Sequence, residues 1–508
     1  MTSLPRQSGI LLHPTSLPGP HGSGDLGPAA YHFVDWLVAA GQSLWQVLPL
    51  GSVGPGNSPY ISPSAFAGNE LLIDLTQLRA AGWLTDADLS APPAFPETRV
   101  DFAAVREFRV ARLRRAAKRF FGRQSADQLA AFESFCGAAQ EWLDDYALFM
   151  ALDMAMRGDG KVWQDWPAPL AQRRPDALRE AQVKYADEMK FWKFCQWRFH
   201  EQWVKLKAYA HARRIELVGD LPIFVAAHSA DVWSHPELFD LDKKGRPRVV
   251  AGVPPDYFSA TGQRWGNPLY RWPAHASEEY RWWVERMRQT MRLCDIVRID
   301  HFRGFESYWE IPSTAETAID GVWRPGPGQA VFAAMRRELS DAQGRLPIIA
   351  EDLGIITPQV DALRQAIGLP GMRILQFAFD GDARNPYLPH NYEANTVVYT
   401  GTHDNDTTVG WWRSLTHSER EHILAYLGVG ETANEGAHWN FIRLACASVA
   451  AFCIIPMQDV LGLDSTHRMN EPSRSEGSWE WRFSWQWVTA EHAERLAEMA
   501  RLYGRRRD

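Results

Sequence analysis

Cysteine is scarce. The 508-residue chain has five (Cys136, Cys195, Cys294, Cys446 and Cys453), with no close-spaced pair and all in apolar surroundings. That argues against a disulfide scaffold and a thiolate metal site, and reads as buried thiols in a reducing compartment. No HExxH or related spacing joins His228, His235, His301 and His403, so no metal is expected. No run of about 18 apolar residues is free of charge, and "MTSLPRQSGI" lacks a basic-then-apolar leader. Long basic runs are missing too: 54 Lys and Arg stand against 61 Asp and Glu, a net charge of -7, and no arm or helix face carries the cationic stripe that nucleic acid requires. No GxGxxG follows a strand, and "GSGDLG" (22–27) follows a loop, so no dinucleotide or phosphate site is expected. These absences point to a soluble, cytoplasmic protein with no cofactor, no membrane partner and no nucleic-acid partner.

Aromatic residues, by contrast, are plentiful: 23 Trp, 24 Phe and 14 Tyr. They can build a large core, or line a groove for flat, partly apolar ligands such as sugars. Short Val/Ile/Leu-rich runs recur, each followed by Gly, Pro, Asp or Asn and then usually by a helical pattern, the rhythm of strand-loop-helix units on a parallel sheet. Eight such runs can be counted: 9–17, 43–51, 215–225, 295–302, 347–354, 371–380, 396–406 and 447–460. Eight strands predict a closed (β/α)8 barrel, one elaborated domain over 1–508. "PAAYHFVDWLVAAG" (28–41) opens on Pro and stops at Gly41, as a helix between the first two strands should.

Two connections are too long for simple crossovers. Residues 76–210 carry strongly helical runs and predict a helical insertion after the second strand, with Trp192, Phe199 and Trp203 as its own core. Residues 226–290 form a second insertion, and within it 249–268 reads as a Gly- and Pro-rich lid loop studded with aromatics.

In an eight-stranded parallel barrel the active site lies at the carboxyl ends of the strands. Asp220, Asp300, Glu351, Asp404 and Asp459 stand at the expected ends of strands three, four, five, seven and eight, so five acids are predicted to converge. Retaining cleavage of a glycosidic bond needs one carboxylate as nucleophile and a second, protonated one as general acid, while a third can grip ring hydroxyls. Arg298, two residues before Asp300 on the same strand face, is expected to keep Asp300 ionised; Glu351, approached through "PIIA", has the more apolar setting an acid needs. A strand-end carboxylate can also cap a helix or bind a metal, and Arg298, Arg303 and His403 compete with a metal for these acids. Tyr60 lies in "GPGNSPYISPSAFAGN" (54–69), a loop of small residues that cannot be core, and "DYFSATGQRWGNP" (256–268) sets Tyr257, Phe258 and Trp265 beside Asp256, Gln263 and Asn267. Flat apolar faces beside amides and carboxylates suit a sugar chain.

The segments "NSPYISPSAFAGN", "GDLPIFV", "GVPPDYFSATGQRWGNPLY", "VRIDHFRGF", "IIAEDLG" and "YTGTHDNDT", running in order to "RMNEPSRSEGSWEWRF" (468–483), resemble the motifs of the amylomaltases, the bacterial 4-alpha-glucanotransferases of glycoside hydrolase family 77. The resemblance implies an alpha-amylase-superfamily barrel with helical and loop insertions; "GDLPIFV" lacks the Asn-His pair of true amylases and no C-terminal beta-sandwich is expected, two departures that both fit the amylomaltases. It implies transfer of alpha-1,4-glucan segments between maltooligosaccharides without a cofactor. It implies Asp300 as nucleophile, Glu351 as acid/base, Asp404 as the acid that holds the distorted ring, Tyr60 as the platform at the cleavage point, and Ser58, Asp220, Asp256, Gln263, Trp265, Arg298 and His403 as further substrate contacts. A hydrolase using the same acids, or a non-catalytic glucan-binding barrel, remains the alternative; the second predicts a missing nucleophile or acid.

Overall fold

Eight short apolar runs form one parallel sheet in the computed structural model: β1 (Gln7–Leu11), β2 (Leu44–Gln46), β3 (Glu216–Pro222), β4 (Ile296–Asp300), β5 (Ile348–Ala350), β6 (Gly371–Ile374), β7 (Thr396–Tyr399) and β8 (Phe452–Pro456). The structure describes residues 4–123, 125–158, 160–255, 259–430, 436–472, 474 and 476–506. Each of the eight runs predicted as a strand overlaps one of these strands; seven contain theirs whole, and β1 starts two residues before its run. The sheet order is β6-β7-β8-β1-β2-β3-β4-β5, and the remaining gap is bridged where the Ala350 N–H donates to the Pro370 carbonyl at 2.9 Å. The strands are buried on both faces, as a parallel sheet covered by helices should be: Ile10, Trp45, Val218, Val297, Ile349, Val398 and Ile454 are all buried. Closure needs Gly371, because a Cβ there would lie 2.2 Å from Asp352 Oδ2, the carboxylate whose Oδ1 accepts from Met372 N at 2.6 Å.

Helices cover the outside where the apolar periodicity changes from two to 3.6. Pro28–Ala39 runs between β1 and β2, Arg281–Leu293 between β3 and β4, Gln329–Leu339 between β4 and β5, and Pro358–Ile367 between β5 and β6. Gly41, Gly368 and Gly428 take left-handed φ just past their helices, as the stop signals require. The insertion before β3 holds long helices at Phe102–Arg123, Gln140–Met156 and Ala186–His211. The last of these leads straight into β3. Its Trp203 is fully buried and donates from Nε1 to Leu293 O at 2.8 Å, on the barrel helix Arg281–Leu293. Trp192, Phe199 and Trp203 therefore belong to an apolar core continuous with that of the barrel, not to a core of the insertion alone.

Segment 249–268 differs from the expected irregular loop. Val249–Val253 and Gln263–Pro268 are antiparallel strands, joined through Ser307–Pro312 to an outer strand, Val322–Pro325. The Gly and Pro residues that read as loop lie at the strand ends, at an irregular register between Val250 and Gly252, and at Gly266. They masked two short β runs in sequence. Asp256, Tyr257 and Phe258 lie outside the described residues. After β8 the described residues add helices and turns but no further sheet.

Candidate active site

β3 and β4 run side by side with Asp220 opposite Arg298 and Pro222 opposite Asp300. This register builds the centre of the site. Arg298 reaches both oxygens of Asp220 at 2.8 Å and, through its other terminal nitrogen, Asp300 Oδ1 at 2.8 Å. The Arg298 and Asp220 side chains expose 3% and 0% of their surface, so this pair holds other groups in place from behind the cleft. Asp300 exposes 29% and Asp404 45%, so these two carboxylates face the opening.

The Tyr60 hydroxyl lies 2.8 Å from Asp220 Oδ2 and 2.9 Å from His403 Nε2. Its ring stacks on His403 at 5.2 Å between centroids and meets Trp479 at 5.4 Å. Ser58 shapes this loop: its Oγ accepts from Tyr60 N at 3.2 Å, and its carbonyl accepts from Gly54 N at 3.0 Å. His403 Nε2 also stands 3.3 Å from Asp404 Oδ2.

Glu351 follows β5, and both its oxygens take backbone hydrogen bonds: Oε2 from His301 N at 2.7 Å and Oε1 from Leu353 N at 2.8 Å. The first bond depends on an unusual backbone. His301 is left-handed, φ 57 and ψ 49, and this turn aims its N–H at the carboxyl group. The edge of Trp265 packs on the His301 ring at 4.8 Å, and Trp265 Nε1 donates to Gln263 Oε1 at 3.1 Å.

Electrostatics set the two central acids apart. Burial, then the neighbouring Asp300 charge, push Glu351 up to about 8, against the pull of Arg298 and of the two backbone N–H groups. Asp300 is also raised: burial is the largest cause, Asp220 and Asp404 add to it, and Arg298 and His403 act against it. The ion pair expected from sequence is present, yet burial outweighs it. Tyr60 is raised well above its usual value by burial and then by Asp220, so its hydroxyl stays protonated.

Asp459 does not join this group. It is buried, with Oδ2 accepting from Thr400 Oγ1 at 2.5 Å and Thr408 Oγ1 at 2.7 Å and Oδ1 accepting from Thr408 N at 2.7 Å. It pins the start of the helix Thr408–Ser414, the helix-capping role open to any strand-end carboxylate. Asp256 lies outside the described residues. Three residues without an assigned role in sequence complete the site. Asn470 Nδ2 donates to Asp404 Oδ1 at 2.6 Å, Arg468 Nη2 donates to the Asp404 carbonyl at 3.0 Å, and Trp479 packs on Tyr60 and His403. The motif "RMNEPSRSEGSWEWRF" contains all three, but it follows no strand end, so no positional rule selects them. Among the described residues no three His, Cys, Asp or Glu side chains form a metal-holding group, and no helix is long and apolar enough to cross a membrane.

A parallel (β/α)8 barrel whose carboxyl rim gathers a raised acid, an arginine-paired carboxylate and a third, open carboxylate has the parts of an enzyme for glycosidic bonds. The family model described as 4-alpha-glucanotransferase (glycoside hydrolase family 77) matches residues 12–489, and the chain belongs to this family. The 4-alpha-glucanotransferase of Thermus thermophilus is 50% identical over 502 residues, 98% of each chain. The chloroplastic/amyloplastic 4-alpha-glucanotransferase of Solanum tuberosum is 46% identical over 98% of this chain and 86% of its own length. The structure of the Streptococcus agalactiae amylomaltase in complex with acarbose superposes with a TM-score of 0.94 at 38% identity, covering 99% of this chain and all of that one.

Proposed function

We propose that the protein is a 4-alpha-glucanotransferase working by retaining double displacement, with Asp300 as nucleophile, Glu351 as acid/base and Asp404 holding the hydroxyls of the reacting sugar. The observation that carries this reading is Glu351, raised to about 8 beside an Asp300 tied to Arg298 at 2.8 Å. At neutral pH one carboxyl keeps its proton for the leaving oxygen while its neighbour has a cation to favour its charged form. In the first step an Asp300 oxygen attacks the anomeric carbon as Glu351 gives its proton to the departing O4. In the second, ionised Glu351 takes the proton from an acceptor 4-hydroxyl, which displaces Asp300 and leaves the configuration retained.

Tyr60 serves the sugar at the cleavage point, and Trp265, Gln263, Asp256 and Ser58 serve the chain on either side. Asp220, Arg298 and His403 act largely through Tyr60 and Asp300, in keeping with the burial of Asp220 and Arg298. The segment 249–268 is the lid that keeps water from the covalent intermediate, which is what transfer in place of hydrolysis requires. Donors and acceptors are maltooligosaccharides and alpha-1,4-glucans, no cofactor takes part, and the protein works in the cytoplasm.

The test is a time course with maltotriose alone, resolved by chain length. Glucose appearing together with chains longer than the substrate is the expected outcome. Shorter products alone would replace the reading with hydrolysis, and unchanged but bound maltotriose would replace it with a non-catalytic barrel. Asp300→Asn should abolish the ladder and leave maltotriose binding largely intact.

A further inference from the structure

Of the 23 tryptophans, Trp323 stands apart. It is the one in the exposed class, with 39% of its surface open, while all the others are buried or half-buried. It sits on the outer strand Val322–Pro325 of the four-stranded sheet, whose four residues are all exposed. Ile319 (53%), Val322 (46%) and Ile355 (56%) are exposed with it. A single exposed apolar residue needs no explanation, and an edge strand carries them at the risk of aggregation. Here, however, the indole is rigidly backed and anchored on the loops that carry the catalytic acids.

Arg303, three residues past Asp300, stacks its guanidinium 3.9 Å above the Trp323 ring centre. The same guanidinium donates from Nη1 to the carbonyl of Ile355, four residues past Glu351. Arg303 is itself buried, so the indole lies over it as a cover. With one face on Arg303, the open surface of Trp323 is its other face. Trp309, cross-strand from Trp323, fixes the ring further at 5.1 Å in an edge contact, and its own Nε1 donates to Ala318 O at 2.8 Å. Gly326 N and Gly328 N donate to Glu306 O and Phe305 O at 2.7 and 2.8 Å, which ties the strand's end to the loop after β4. The result is a flat indole, backed by Arg303 and Trp309, facing outward on the same rim as Asp300 and Glu351.

We propose that Trp323 is a binding platform for an alpha-glucan chain outside the reacting sugars, a pyranose stacking on its open face while the chain extends from the cleft. The occupant follows from continuity: the platform is held by the residues that follow the two central acids, and the sugar face that an indole takes is the one a glucan repeats along its length. The inference rests on the glucan reading above and adds a remote site to it.

The test compares Trp323→Ala with the parent on long-chain amylose and on maltotriose, with Trp323→Tyr as the conservative control. A substrate of three sugars gains little from a remote site. The expected result is a rise of roughly fivefold or more in KM for amylose, with kcat and the maltotriose KM within twofold, and most of the amylose affinity restored in Trp323→Tyr. Equal amylose KM in Trp323→Ala and parent would overturn the proposal. So would an equal loss on maltotriose, or a change of oligomeric state with glucan affinity unchanged, which would make the patch a contact between copies. If the parent gives no chains longer than maltotriose yet Trp323→Ala still loses amylose affinity, the platform stands and the transfer reading fails.

Discussion

The Tyr60 hydroxyl donates to Asp220 Oδ2 at 2.8 Å and accepts from His403 Nε2 at 2.9 Å. Proton counting fixes these directions. A phenol has one hydrogen, and Asp220, clamped at both oxygens by Arg298, is a pure acceptor, so the hydroxyl proton points to Asp220 and His403 must carry hydrogen on Nε2. The same nitrogen faces Asp404 Oδ2 at 3.3 Å. A continuous polar chain thus runs Asp300, Arg298, Asp220, Tyr60, His403, Asp404, and joins two of the candidate catalytic carboxylates through groups placed behind them.

Tyr60→Phe tests that chain with the ring stack on His403 left in place. It removes two hydrogen bonds, one of them to a charged group, at about 1.5–3 kcal/mol for the charged one. We expect kcat for maltotriose disproportionation to fall roughly 10- to 100-fold, with KM changed less than about threefold. An unchanged kcat would mean that the ring alone matters.

Glu351 gives a pH dependence with a definite sign. In the proposed role of general acid it must hold its proton, so kcat/KM should fall as pH rises through about 8. Stability moves the same way. A carboxyl raised in the folded state binds more protons folded than unfolded between its ordinary value and about 8, so the fold loses stability with rising pH across that window and no more above it. Glu351→Gln, measured by urea unfolding, should therefore be more stable than the parent at pH 8, with the gap closing towards pH 4.5. A gap of constant size would show that Glu351 is not raised.

His301 should act on Glu351 through its backbone. Beside Gly, the residues that most readily take left-handed φ are Asn, Asp and His, and β-branched residues take it worst. His301→Asn is expected to keep most of the activity, and His301→Val to lose kcat by tenfold or more. If the His301 N–H leaves Glu351 Oε2, a bond favouring the charged form is gone, so the alkaline limb in His301→Val should move to higher pH. Equal loss in both variants, with no change in the limb, would assign the effect to the imidazole ring.

The barrel was legible because each strand run is short, apolar and closed by a turn residue, and strand ends are where positional reasoning works. Asp220, Asp300, Glu351 and Asp404 were reached that way, and so was Asp459, which misled because a carboxylate that caps the Thr408 helix and one that faces the cleft look alike in sequence. Asn470, Arg468 and Trp479 were out of reach, since they come back to Asp404 and Tyr60 from more than 60 residues further along the chain by a path that only folding sets. The hairpin at 249–268 was hidden by its own glycines and prolines. The upward shift of Asp300 could not be read from Arg298 beside it, because how deeply a pair is buried is a property of the whole rim.

Arg505, three residues before the last position, holds the barrel closed from below. Its guanidinium is fully buried and donates to six carbonyls: Cys446 O at 2.7 Å from Nε, Gln7 O and Ala451 O from Nη1, and Ala445 O, Ser448 O and Ala450 O from Nη2. These carbonyls belong to β1, to the last turn of the helix Ala437–Ala447 and to the turn that feeds β8, and β1 and β8 pair side by side from Gln7 opposite Phe452. Removing the guanidinium takes away several charge-assisted hydrogen bonds, about 1.5–3 kcal/mol for a strong one, although Arg6 still reaches Cys446 O, Ser448 O and Ala450 O, Gln7 N still reaches Ala451 O, and Ser448 Oγ still reaches Ala445 O. Arg505→Met should therefore lose about 3 kcal/mol or more in urea unfolding, and Arg505→Lys, with a point charge in place of a planar fork, should recover only part. Arg506→Ala, one residue on and exposed, should stay within about 0.5 kcal/mol of the parent. Activity per folded molecule should be unchanged in all three, because no bond of Arg505 reaches the carboxyl rim. A stable Arg505→Met would show that water can replace the guanidinium at this seam.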